Sequence, residues 1–107
     1  MEMMPPPLDS VPPDALPALC RQFHVQRLDL FGSAADGRFD PARSDLDFLV
    51  TFNEGRDFSY SDAYFGLRES LSNLFGREID LVTEAGLRNP YFRQSVEAQR
   101  RQVFPQS

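Results

Sequence analysis

Ser44-Asp45-Leu46-Asp47-Phe48-Leu49-Val50-Thr51-Phe52 is the stretch that decides the fold. From Leu46 to Phe52 it is almost continuously apolar, too short for a helix and suited to a strand covered on both faces. Its two carboxylates, Asp45 and Asp47, are spaced two apart, and in a strand such residues point to the same side. A second β-forming run, Val25 to Phe31, precedes it and ends at Gly32-Ser33, a strand entering a tight turn. Asp36 to Ser44, with Gly37 and Pro41, reads as the loop between the two runs. A third short run, Ile79 to Val82, carries Asp80 between Ile79 and Leu81, so that alternation turns this carboxylate away from its apolar neighbours.

Helical periodicity fills the intervals. Leu16, Leu19, Cys20 and Phe23 recur at helical spacing from Asp14 onward, and Pro17 is tolerated because the first N–H groups of a helix are unbonded anyway. Tyr60, Tyr64, Leu67, Leu71 and Leu74 form an amphipathic stripe with Gly76 at the position of a C-terminal cap. Asn89-Pro90 supplies an N-cap followed by proline at the first helical position, and the last helix is predicted to run to about Val103. Six prolines, Pro5, Pro6, Pro7, Pro12, Pro13 and Pro17, crowd the start. Residues 1–12 therefore read as an extended proline-rich tail and 13–107 as one domain.

Composition narrows the chemistry. With 107 residues there is room for a single core. The net charge of −5 is opposite to what counterion-driven nucleic-acid binding requires, so general affinity for DNA or RNA is not expected. All eleven basic residues are arginine. Without lysine there is neither a Walker-type phosphate loop nor a Schiff-base enzyme. A single cysteine, Cys20, and a single histidine, His24, make neither an internal disulfide nor a zinc site. No basic, apolar leader and no run of about 20 apolar residues is visible, which reads as a cytoplasmic protein rather than a membrane one.

Taken singly, the polar features have ordinary structural readings: Gly-Ser after a strand is a common turn, and an aspartate after Ser44 is a common strand start. Together they converge. If the strands bearing Asp45, Asp47 and Asp80 are neighbours, three anions meet, an arrangement tolerated mainly around a hard cation. Mg²⁺ usually takes one or two protein carboxylates and completes its shell with water and substrate phosphates, so the trio points to phosphoryl or nucleotidyl transfer. Gly32 lacks the Cβ that would block a phosphate, and the Ser33 hydroxyl can donate to its oxygens. For the remaining conspicuous side chains, packing is the default: Cys20 as a small core residue, Tyr60 and Tyr64 on the core side of their helix, His24 at the surface or boundary. Tyr91-Phe92 beside Arg88 and Arg93 fits either an interface or a last-helix core contact. Arg100-Arg101 reads as solvating a helix end.

Leu30-Phe31-Gly32-Ser33-Ala34-Ala35, then Phe39-Asp40-Pro41, then Ser44 to Val50, resembles the minimal nucleotidyltransferases of the DNA polymerase beta superfamily. Tyr64-Phe65-Gly66-Leu67, Ile79 to Val82 and Leu87 to Phe92 are similar to the remainder of that small domain, so that the likeness spans Leu19 to Phe104. The resemblance implies an α/β (α+β) nucleotidyltransferase fold, a small mixed β-sheet with helices packed on it, binding two Mg²⁺ ions and ATP. It implies metal ligation by Asp45, Asp47 and Asp80, with Asp80 also helping to activate the incoming hydroxyl, and phosphate contacts from Gly32 and Ser33. Many such proteins are antitoxins that transfer AMP to a tyrosine of a HEPN-type ribonuclease toxin, the partner implied here. Relatives carry Ala-Arg-Gly after the Gly-Ser pair, whereas this chain has Ala35-Asp36-Gly37-Arg38. Arg38 is the candidate replacement for the displaced phosphate-binding arginine. The acid at Asp36 raises the alternative of a catalytically impaired member that blocks its partner by binding alone.

Overall fold

The computed structural model describes residues 11–32, 46–55 and 57–105. In chain order these form helix α1 (Ala15–Gln22), strand β1 (Val25–Phe31), strand β2 (Leu46–Phe52), helix α2 (Tyr60–Phe75), strand β3 (Ile79–Thr83), a 3₁₀ turn (Glu84–Gly86), helix α3 (Pro90–Gln99) and strand β4 (Arg101–Phe104). The strands make one mixed sheet in the order β3-β2-β1-β4. β1 runs antiparallel to both β2 and β4, while β2 and β3 are parallel and joined through α2. Both apolar runs read as strands take the inner positions, with a paired neighbour on each side over most of β2 and the middle of β1.

Strand alternation sorts the side chains onto two faces. Leu28 and Leu30 of β1, Leu46, Phe48 and Val50 of β2, and Ile79 and Leu81 of β3 meet Leu16 and Cys20 of α1 and Leu67 and Leu71 of α2 in the main core. Each large side chain buried here contributes roughly 1.5–3 kcal/mol. Cys20 is fully buried among them, and burial pushes its thiol pKa up to about 12 against the opposing pull of Arg21. On the other face a smaller cluster joins Phe31, Leu49, Leu87 and Val96, with Val82 packed against it.

Helix ends follow local chemistry. The Ser59 hydroxyl accepts from the Asp62 N–H to start α2, and Gly76 ends it in the left-handed conformation at φ 65°, returning its N–H to the Ser72 carbonyl. Asn89 starts α3 by accepting from the Tyr91 and Phe92 N–H groups at 2.9 and 3.3 Å. Two expectations are corrected. The last helix stops at Gln99, not Val103, because Arg101–Phe104 pairs with the free edge of β1. Tyr60 is half exposed rather than in the core, its hydroxyl donating to the Asn53 carbonyl, whereas Tyr64 packs against the core and donates to the Leu81 carbonyl at 2.6 Å. His24 is exposed as expected, and its ring stacks on Phe58 at 4.1 Å between centroids. Residues 1–10 of the expected tail lie outside the described residues.

Candidate active site

The register of the sheet builds the site. Phe31 of β1 lies opposite Asp47 of β2, and Asp47 is the parallel partner of Asp80 in β3. These three residues form a row across the face that carries α3, with adjacent strands about 4.8 Å apart. The strands bearing Asp47 and Asp80 are thus neighbours, and the two carboxylates lie side by side in register. Asp80 is exposed and Asp47 partly buried. Asp45, Ser33 and Arg38, the other expected site residues, lie outside the described residues, as does Asp36. Among the described residues alone, no three His, Cys, Asp or Glu side chains group closely enough to hold a metal ion.

Gly32 ends β1 with a positive φ of 75°. A Cβ on Gly32 would overlap Oδ2 of Asp47. The glycine is therefore needed for a reason the sequence did not disclose: it clears the space into which the Asp47 carboxylate turns, in addition to the left-handed backbone that glycine adopts without strain.

One row further in, on the same face, Asp29 stands between Gln102 of β4 and Leu49 of β2. Its side chain is only 1% exposed. Arg27 donates to Oδ1 through Nε and Nη2 at 3.1 and 3.0 Å, and Arg100 Nη2 donates to Oδ2. Arg100 also meets Glu97 at 2.8 Å and Glu84 at 3.6 Å, and Glu84 in turn pairs with Arg93 at 3.4 Å. Burial works to lower the Arg100 pKa, but the hydrogen bond and charge of Asp29, with Glu97 behind them, outweigh that cost and hold it above its ordinary value. Arg100 is thus not the solvated helix-end residue expected from the sequence. The network ties the end of α3 to the middle of β1, directly behind the carboxylate row. Sequence reasoning missed Asp29, although a lone acid between Leu28 and Leu30 in an apolar strand is the same signal that drew attention to Asp80.

The start of α3 closes the site on its remaining side. Phe92 meets Phe31 edge to face, centroids 6.2 Å apart, while Tyr91 is 82% exposed beside it. Leu87 and Val96 cover Leu49 in the inner row, while in the outer row Asp80 is exposed and Asp47 partly buried. A pair of hard carboxylate donors on neighbouring strands, beside a glycine of positive φ, suits a divalent cation and phosphate oxygens.

Residues 14–103 match the family described as nucleotidyltransferase domain. Over 76 residues the chain is 37% identical to a Methanocaldococcus jannaschii protein named "Putative protein adenylyltransferase MJ1379", covering 71% of this chain and 74% of that one. The fold is similar to a solved structure described as a "putative minimal nucleotidyltransferase", at TM-score 0.67 and 35% identity over 83% of this chain and 86% of the other. It is also similar to a tri-AMPylated Shewanella oneidensis HEPN toxin in complex with MNT antitoxin, at TM-score 0.56 and 23% identity over 84% of this chain and 66% of the other, a likeness of fold alone. With the family matched over nearly the whole length, and with the paired aspartates and the glycine turn set in one row of a mixed sheet, this chain belongs to the nucleotidyltransferase domain family.

Proposed function

We propose that this protein is a Mg²⁺-dependent adenylyltransferase antitoxin that moves AMP from ATP to a tyrosine hydroxyl of a HEPN-type ribonuclease toxin and thereby neutralises it. The observation that carries the reading is the direct parallel pairing of Asp47 with Asp80 beside Gly32. The adenylyl chemistry is supported by the Methanocaldococcus relative's name, and the toxin partner by the fold shared with the MNT antitoxin.

In this reading Asp47 and Asp80, joined by Asp45, hold the cation. Bound there, Mg²⁺ offsets the triphosphate charge and the charge that develops as pyrophosphate leaves. Gly32 and Ser33 receive the phosphates, and Arg38 is the residue of the loop that can balance their charge. The acceptor oxygen forms its bond to the α-phosphorus as the bond to pyrophosphate breaks, and the hydroxyl proton passes to the Asp80 carboxylate, the exposed member of the row. The test is transfer of label from α-³²P ATP to the co-purified toxin. Asp47→Asn and Asp80→Asn are each expected to lower it by at least about a hundredfold, in line with the loss of a group acting on transition-state charge, while the unfolding midpoint stays near that of the parent. Undiminished transfer by either variant would refute the assignment.

Asp36, an acid in the loop after the phosphate turn, favours one other reading: an antitoxin that keeps the fold and blocks its partner sterically. Under it the same variants still neutralise the toxin, and calorimetry with Mg²⁺ and ATP gives no binding heat.

A further inference from the structure

The most exposed large aromatic side chain among the described residues is not explained by packing. Tyr91 is 82% exposed, and its neighbour Phe92 is 42% exposed although it rests on Phe31. Both sit in the first turn of α3, at the end of the sheet where the row Phe31, Asp47, Asp80 lies open. The turn is held firmly: Asn89 caps it twice, and Arg93 Nε anchors it to the Leu87 carbonyl at 3.1 Å. A firmly capped turn that presents one aromatic ring seated on the sheet, Phe92 on Phe31, and next to it an open one, Tyr91, is a surface of the kind on which a nucleobase stacks. Stacking is favourable for any base because each presents a π face, and it grows with the area of the ring system.

We infer that Tyr91 and Phe92 form the shelf that receives the base of the nucleoside triphosphate. Tyr91 supplies the open ring face, and Phe92, wedged on Phe31, fixes its height above the sheet. The shelf would favour purines over pyrimidines through contact area, without hydrogen-bond readout of the base edge. The inference rests on the reading of Gly32, Asp47 and Asp80 as the triphosphate site, since it places the base on the rings that pack over Phe31, the residue before Gly32, with the ribose spanning the gap to the phosphates.

The experiment is calorimetry of the full chain in Mg²⁺ with three probes: ATP, CTP and inorganic tripolyphosphate. The parent chain should bind ATP more tightly than CTP and CTP more tightly than tripolyphosphate. In Tyr91→Ala, ATP affinity should fall roughly tenfold, the loss typical of one stacked base, and tripolyphosphate affinity should not change. Tyr91→Phe should bind ATP like the parent, because the ring rather than the hydroxyl does the stacking. As Tyr91 is almost fully exposed, the alanine variant keeps the fold, and its unfolding midpoint verifies this. Unchanged ATP affinity in Tyr91→Ala, or an equal loss for tripolyphosphate, would overturn the shelf while leaving the phosphate site intact. A parent chain that binds neither ATP nor tripolyphosphate would overturn the triphosphate site and the shelf with it.

Discussion

The two faces of the sheet are built from the same strands and differ in what they spend their residues on. Among the described residues, the face under α1 and α2 joins thirteen buried side chains in a single cluster, and all of them are apolar or cysteine. Among the same residues, the face under α3 buries four apolar side chains and one aspartate held by two arginines, and carries Asp80 exposed and Asp47 partly buried. Alternation makes the division automatic: β1, β2 and β3 each turn one set of side chains to the main core and the other to the face with Asp29, Asp47 and Asp80. Because most of the described buried apolar side chains lie on the first face, the second can carry charge that would weaken a core.

The largest loss of stability is expected from a deletion on the face under α1 and α2. Phe48 is fully buried beneath α2 and packs near Phe75, their ring centroids 6.2 Å apart. Phe48→Ala should cost about 3–5 kcal/mol, the range for deleting a buried aromatic side chain and leaving a cavity. Urea unfolding would measure it. A cost below about 1 kcal/mol would show that the apolar face is not where stability resides.

A sharper test lies at Asp29, the one charged group fully buried among the described residues. Asp29→Asn preserves shape but removes the charge that two guanidinium groups share. The expected loss is about 1.5–3 kcal/mol, the range for a hydrogen bond to a charged group, and it should come mainly from the Arg100 side. Arg27 is 43% exposed and can turn to water, whereas Arg100 is 14% exposed and cannot. Arg27→Ala should therefore change stability by less than about 1 kcal/mol. Comparable losses from both would mean that the network acts as a unit rather than through its buried member.

What the sequence made legible follows the same division. The bounds of β1 and β2 could be read because apolar density rises and falls sharply and Gly32 breaks the first run, and α2 because its stripe ends at Gly76. The pairing of Asp47 with Asp80 was conditional on strand adjacency, a fact of the sheet that no local pattern carries. β4 was hidden for a related reason. Nothing between Gln99 and Arg101 resembles a helix stop, and the strand exists because β1 offers an unpaired edge, so tertiary pairing overrides local propensity there. Asp29 escaped notice because the strand was judged by its apolar residues, and its partner Arg100 lies 71 positions away.

The most local effect concerns the turn that frames the face under α3. Asn89 caps α3 with its side chain, which serves the two N–H groups of Tyr91 and Phe92. Asn89→Ala leaves these donors to water, which the exposure of the turn permits, so the loss in global stability should be about 1 kcal/mol. The local consequence should be more specific. Hydrogen exchange at Tyr91 and Phe92 should speed up relative to Val96, which the small cluster against Leu49 continues to hold. If exchange rose equally along the whole helix, the cap would be supporting α3 as a unit, and the first turn would lack the independent rigidity that distinguishes this face from the one beneath α1 and α2.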